Sequence, residues 1–454
     1  GEIGILGNFS YSQLKSQSDR FQVSSFRIRN LYSDGDVINN GNGATVQRQV
    51  YFPRGAVMGR QEFNRERYGY AAALQYRSND GSIEAVAQFL RSDARQAWTE
   101  RTIEIATDNV SSNGDSRRVP GTTLDFDSDG MVVSGTITGP TGWRGDQNIG
   151  GGNSGLIPRV PMLGLQSNNQ RRDHQEKLVT DDYGFNLKWN ASERLGVVFD
   201  YQHVKSSTNL LDNTVWNSTY QNASIRLNGS NFPTVAFLPP QVCSGPAANM
   251  QDAQGTDNDC RAGGNPNQYT PNYFGAGHTS FTDPFNNFPR AAMDHIEQSE
   301  GNSDAFRLDL DYAMPEGSFL KSIQGGVRYA DRDQVSRFSR YNWGVLSEQW
   351  GNNGPVWMDM PVNGNNASRT DGQPFNANSP YYFNNFFRGQ VTNPLGGDGR
   401  LYYSGNTVSD YDAMVRYANA IAREWQGTTT CAADGRTVNA GWNALANRCG
   451  VISG

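Results

Sequence analysis

The sequence predicts an all-β fold: a run of antiparallel strands forming a segment of a transmembrane β-barrel, with short turns at one end and long loops at the other. Three observations predict it. Apolar and polar residues alternate over several separate stretches, and successive side chains of a strand point to opposite faces. The stretches are joined by tight turns and by very long polar segments in turn. Aromatic residues end the apolar faces just before the tight turns.

The bulk composition allows this fold and excludes others. The 454 residues suffice for several ordinary domains or one large barrel. Mean hydropathy is −0.66, and no run reaches about 18 apolar residues, which rules out a membrane-spanning helix. A barrel stays open, because only alternate residues need face lipid. The 50 Gly, 22 Phe, 20 Tyr and 9 Trp suit strands and turns. The net charge is −6 without a Lys/Arg block, so nucleic acid is not an expected partner.

About seven strands are expected. The first, near 3–28, sets Ile3, Ile5, Phe9 and Tyr11 against Asn8, Ser10 and Ser12. The second, 65–77, sets Tyr68, Tyr70, Ala72, Leu74 and Tyr76 against Arg67, Gly69, Ala71, Ala73 and Gln75. Ser78-Asn79-Asp80-Gly81 then signals a hairpin turn, since Asp and Gly tolerate positive φ. The third, 82–93, carries Ile83, Ala85, Ala87 and Phe89 on one face. The fourth and fifth, 178–190 and 195–205, repeat the pattern with Tyr183, Phe185, Leu187 and Trp189, then Leu195, Val197, Phe199 and Tyr201. The sixth and seventh, 304–312 and 321–338, place Phe306, Leu308, Leu310 and Tyr312 beside Ile323, Val327 and Tyr329. Their other faces hold Arg307, Asp309, Asp311, Arg328 and Arg332, which a dry core would penalise heavily and a wet lumen would not.

The segments 30–64, 94–177, 206–303 and 340–454 read as long loops, rich in Gly, Asn, Ser, Asp and Pro. Structureless loops of that length are rare in compact soluble domains. Short turns on one side and long loops on the other are the habit of outer-membrane barrels. Tyr76, Trp189 and Tyr312 sit at one height before their turns, as an interfacial girdle would require.

Chemical motifs are few. The four histidines form no HxxxH or HExxH pair. No nucleophile elbow or phosphate loop occurs, so no catalytic residue and no cofactor is expected. Asp125, Asp127 and Asp129 form a DxDxDG string resembling half a calcium loop, but Thr136 stands where the bidentate Glu belongs. A hairpin turn explains the string equally simply. Cys243 with Cys260, and Cys431 with Cys449, bracket one polar segment each. Local disulfides would place them in an oxidising compartment; four reduced thiols are the alternative. Tyr341, Trp343, Trp350 and Trp357 lie in one loop among Asn and Asp, with Trp143, Trp216 and Tyr220 in others. Flat aromatics beside such polar groups suit sugar rings or aromatic chelators, and they also suit loop packing.

Several blocks resemble TonB-dependent receptors of proteobacteria: 65–81 (RERYGYAAALQYRSNDG), 179–189 (VTDDYGFNLKW), 199–204 (FDYQHV), 293–301 (MDHIEQSEG), 304–309 (DAFRLD) and 341–350 (YNWGVLSEQW). The resemblance runs across nearly the whole chain. It implies a barrel of about 22 strands with a plugged lumen, set in the outer membrane of a Gram-negative bacterium. It further implies uptake of a large scarce ligand, such as an oligosaccharide or ferric siderophore, energised by the TonB complex. The plug, the TonB-contacting segment and the closing strand are not in this sequence, and both of its ends read as cuts through a longer protein. A passive porin-like channel and a soluble secreted β-rich carbohydrate-binding protein are the competing expectations.

Overall fold

The structure is a computed structural model and describes residues 1–37, 39, 43–106, 116–119, 121–138, 142–144, 160–229, 231–239, 241–243, 269–270, 280–347, 356–358 and 377–426. Its frame is one antiparallel sheet of seven long strands: β1 (Glu2–Val23), β2 (Gly55–Arg77), β3 (Ile83–Ala106), β4 (Leu165–Asn190), β5 (Leu195–Asn228), β6 (Phe288–Ala313) and β7 (Ser322–Phe338). They pair strictly in sequence order, an up-and-down meander. Among the described residues β1 and β7 do not pair with each other, so the sheet stays open. No described helix is long and apolar enough to cross a membrane.

Every short connection lies at one end. The β2–β3 turn is closed by Ser78 N–H to the Ile83 carbonyl, 2.9 Å, and Gly81 takes φ +70°. Asp80 accepts from the Ser78 hydroxyl and the Ser82 N–H, which pulls its pKa down to about 2. In the β4–β5 turn Ser192 Oγ accepts the Leu195 N–H. In the β6–β7 turn Gly317 takes φ +87° and Ser318 N–H reaches the Pro315 carbonyl.

The register aligns the seven apolar faces. Ile5 lies opposite Leu74, Leu74 opposite Ala87, and Ala87 opposite Phe185. Phe185 faces Tyr201, Tyr201 faces Phe306, and Phe306 faces Tyr329. A one-residue slip anywhere would break this continuity, because it would turn a whole strand over. The result is one continuous apolar band, about 27 Å long on β2 from Tyr68 to Tyr76 at roughly 3.4 Å per residue. Tyr76, Trp189 and Tyr312 border it at the turn end, all exposed. Toward the far end run the ring pairs Phe9–Tyr70 and Phe89–Tyr183, with centroids 5.3 and 5.0 Å apart, and Tyr201–Phe306, 4.8 Å apart, continues the row of Phe185. The opposite face is polar and hydrogen-bonded across strands, as in Asn186 to Asp200, Gln202 to Asp182 and Gln324 to Asp311.

The strands run well beyond the stretches that alternation marks. β3 continues to Ala106, β4 starts at Leu165, β5 reaches Asn228 and β6 starts at Phe288. Much of the expected loop length is therefore strand. The first strand is instead shorter than expected, ending at Val23, and Phe26–Tyr32 forms a separate ribbon with Val46–Pro53. The signal fails in the upper halves because what is buried there is polar: Asn169, Asp173, Asp212, Asn213, Asn217 and Gln221.

Of these, Asp173, Asn213, Asn217 and Gln221 meet a clasp formed by 377–410, which leads into the helix Tyr411–Gln426. Arg171 donates to the Tyr403 and Ser404 carbonyls, Asn217 to the Leu401 carbonyl, and Asn213 to the Thr407 carbonyl. The Arg60–Asp19 pair holds the Asn384 carbonyl and the Phe387 N–H. Strand parity puts Asp19, Arg60, Asp173 and Asn213 on the same face as the apolar band, above it. Met58, Ile103, Ile105, Phe383 and Tyr402 make the dry core beneath the clasp.

Candidate functional site

The polar face above the level of the band carries the densest chemistry. Register sets His174 beside Trp98 on one side and Asp212 on the other, and Asp212 beside His295. The four therefore form a row across β3, β4, β5 and β6. Trp98 stacks on His174 with centroids 4.8 Å apart and an interplanar angle of 6°. The Arg172 guanidinium sits 5.1 Å from the Trp98 ring centroid and grips Asp212 with two bonds of 2.7 and 2.6 Å. Burial opposes ionisation of Asp212, but the bonds from Arg172 and His174 outweigh it and hold the carboxyl below its usual range.

Two of the expected ligand contacts join this row. Tyr341 stacks on His295 with centroids 4.3 Å apart, and His295 Nδ1 lies 2.6 Å from the Ser339 carbonyl. That carbonyl can only accept, so Nδ1 carries the proton. Trp343 pairs with Met293 in register, two residues along, which puts it on the same face. Tyr341 and Trp343 are both exposed. The next tier on this face holds Gln170 opposite Trp216. The surface thus offers the exposed rings of Tyr341 and Trp343 and the part-exposed Arg172 guanidinium, while Asp212 and His295 are buried. It can stack a planar or ring-shaped ligand and hydrogen-bond its edges.

The other candidates fall elsewhere. Trp357 is 0% exposed, packed edge-on against Phe288 at 5.3 Å and near Tyr220. In this arrangement it fills a core and touches no open surface. Trp350 lies outside the described residues, and so do Cys260, Cys431 and Cys449. Cys243 lies in the short strand Gln241–Cys243. Asp125, Asp127 and Asp129 occupy a hairpin between Leu124–Phe126 and Val132–Thr138, with Gly130 at φ +84°. Asp127 accepts the Met131 N–H and Asp125 accepts the Ser134 hydroxyl. Among the described residues no group of three or more His, Cys, Asp or Glu could hold a metal ion.

Sequence reasoning missed Trp98, Arg172, His174, Asp212 and His295. Counting in twos upward from the polar faces of β3 and β4 would have reached Trp98 and His174, but residues 94–177 read as loop. Comparison with known protein families, curated proteins and solved structures finds no match to this chain.

Proposed function

We propose that this chain is the strand-and-loop wall of an outer-membrane receptor of a Gram-negative bacterium. It captures a large scarce ligand, an oligosaccharide or ferric siderophore, and passes it inward with energy from the TonB complex, coupled through a plug. The observation that carries the membrane part is the band: seven apolar faces in register, bordered by aromatics at both ends, with short turns on one side only. The ligand part is supported by the ring-and-charge surface around Trp98, His174, Tyr341 and Trp343. It lies on the polar face, which would line a lumen, on the side of the long loops. Energy coupling rests on the sequence resemblance.

The test uses cells producing the intact protein and labelled panels of ferric siderophores and oligosaccharides. Uptake of one ligand is expected to stop when the proton gradient is dissipated or TonB is deleted. Uptake that continues unchanged would make the protein a passive channel. Release of the protein from cells without detergent would return it to the soluble β-protein. For the bound ligand, Tyr341→Ala and Trp343→Ala are each expected to weaken binding about tenfold, or 1.4 kcal/mol. Calorimetry on the purified protein reads this directly, and unchanged affinity in both variants would remove these residues from the site.

A further inference from the structure

Three buried guanidiniums tie the clasp to the wall, and one of them differs from the other two. Arg60 is 7% exposed and pairs with Asp19; Arg171 is 8% exposed and pairs with Asp173. Arg400 is 0% exposed, and its hydrogen-bond partners among the described residues are both neutral. Nη1 donates to the Gly399 carbonyl at 3.2 Å and Nη2 to Gln221 Oε1 at 2.7 Å. Nε is buried and meets no acceptor among the described residues. The Phe281 ring covers one face of the group, its centroid 3.3 Å from Cζ. Asp398 stands two residues away, but it is exposed and does not bond to the guanidinium.

Charge is the first consideration. Burial pushes the pKa of Arg400 down to about 9, which leaves it a cation at neutral pH. An ion of this kind taken out of water costs several kcal/mol unless an opposite charge compensates it. Two neutral oxygens and one ring face offset only part of that cost. Gln221 supplies a second, independent sign. A guanidinium has no acceptor, so the amide must turn its oxygen toward Arg400. Gln221 Nε2 then faces away, and it too is buried without an acceptor among the described residues. Arg400 Nε and Gln221 Nε2 are therefore orphaned donors flanking one 2.7 Å bond. Buried orphans are rare, and an unpaired cation beside two orphaned donors is the chemistry that an anion satisfies.

We propose that Arg400 Nε and Gln221 Nε2 bind one small monovalent anion, such as chloride, at the seam between the clasp and β5. Burial between packed elements selects for size: a halide fits where a bulky organic anion does not. Gln221 belongs to β5 and Arg400 to the clasp, so the anion joins the two. The bonds from Asn217 to the Leu401 carbonyl and from Arg171 to the Tyr403 carbonyl lie within three residues of Arg400. The anion binds the docked clasp and not the released one, so it stabilises docking by linkage. This inference concerns the clasp alone and holds whether or not the apolar band meets lipid.

The experiment compares the intact protein in sodium chloride and in sodium gluconate at equal ionic strength, which keeps screening constant. Amide exchange at 400–408 is expected to be at least fivefold slower in chloride, while exchange at 183–190 is the same in both salts. Arg400→Met fills similar space without a charge and is expected to remove the difference with the clasp still docked. Arg388→Gln, at an exposed clasp position, is expected to keep it. Equal exchange of wild type in the two salts overturns the proposal, because water then satisfies both donors. A difference that survives in Arg400→Met overturns the assignment to this seam. Should Arg400→Met not fold, bromide decides the location. Crystals grown in bromide are expected to show an anomalous peak in contact with Arg400 Nε and Gln221 Nε2. Peaks on exposed cations alone, an adventitious ion only, would overturn it.

Discussion

Phe185→Arg is expected to destabilise the protein in a bilayer by about 2–4 kcal/mol, while the neighbouring Asn186→Arg leaves it nearly unchanged. Phe185 stands within the apolar band, between Ala87 and Tyr201, with its ring 6.3 Å from that of Phe199. A guanidinium there must be desolvated in hydrocarbon or bend toward an interface. Asn186 points the other way and donates to Asp200. An Arg at that position keeps the Asp200 carboxylate as partner and stays in a polar setting. Two adjacent residues, one substitution and opposite environments make the comparison internally controlled. Denaturant titration of the intact protein folded into defined lipid vesicles reads both values. Equal costs would mean that neither face meets lipid, and a reversed order would mean that the polar face does.

The second large effect is expected from Asp173→Ala, at about 3–5 kcal/mol. The Asp173 carboxylate is buried and accepts from Arg171, the Thr99 hydroxyl, and both the N–H and hydroxyl of Thr407. Deleting it leaves the Arg171 guanidinium buried without its counter-charge and the Thr407 N–H without its acceptor. Breaking one side of a buried pair costs far more than the pair's net worth, because the survivor has lost its water. The loss should be local at first: amide exchange at 401–408 is expected to accelerate before the β4–β5 pairing does. Asp129→Ala, at an exposed hairpin position, is the control and should stay within about 0.5 kcal/mol. If Asp173→Ala behaved like that control, the clasp would not be anchored there.

The legibility of the sequence follows from which environments the two faces of a strand separate. Around Phe185 and Asn186 one face is apolar and the other polar, so alternation locates the strand, its register and the adjoining turn. Near Asn213, Asn217 and Gln221 both faces are polar, and the buried one is tied to the clasp through Asn213 Nδ2, Asn217 Nδ2 and Gln221 Oε1. No composition rule tells such a strand from a loop, and β5 consequently reads as ending 23 residues early, at 205 rather than Asn228. The candidate site suffered from the same blindness. Tyr341 and Trp343 were visible as aromatics among polar residues. Trp98, His174 and His295 became partners only through strand register, which brings positions nearly 200 residues apart into one row. Trp357 shows the converse: sequence marks an aromatic, but its neighbours Phe288 and Tyr220 decide that it packs.

The clasp also dictates an order of assembly. Neighbouring wall strands meet by closing a hairpin or a single loop, and each pairing can template the next. The clasp contacts are of another kind: Asn384 reaches Arg60 across 324 positions, and Phe387 reaches Asp19 across 368. Contacts of such high order become affordable only after the intervening strands have fixed the end points. The wall must therefore form first and the clasp dock last. Between those events Met58, Ile103 and Ile105 stand uncovered on the upper wall. That intermediate exposes apolar surface, and clasp docking is the step that covers it.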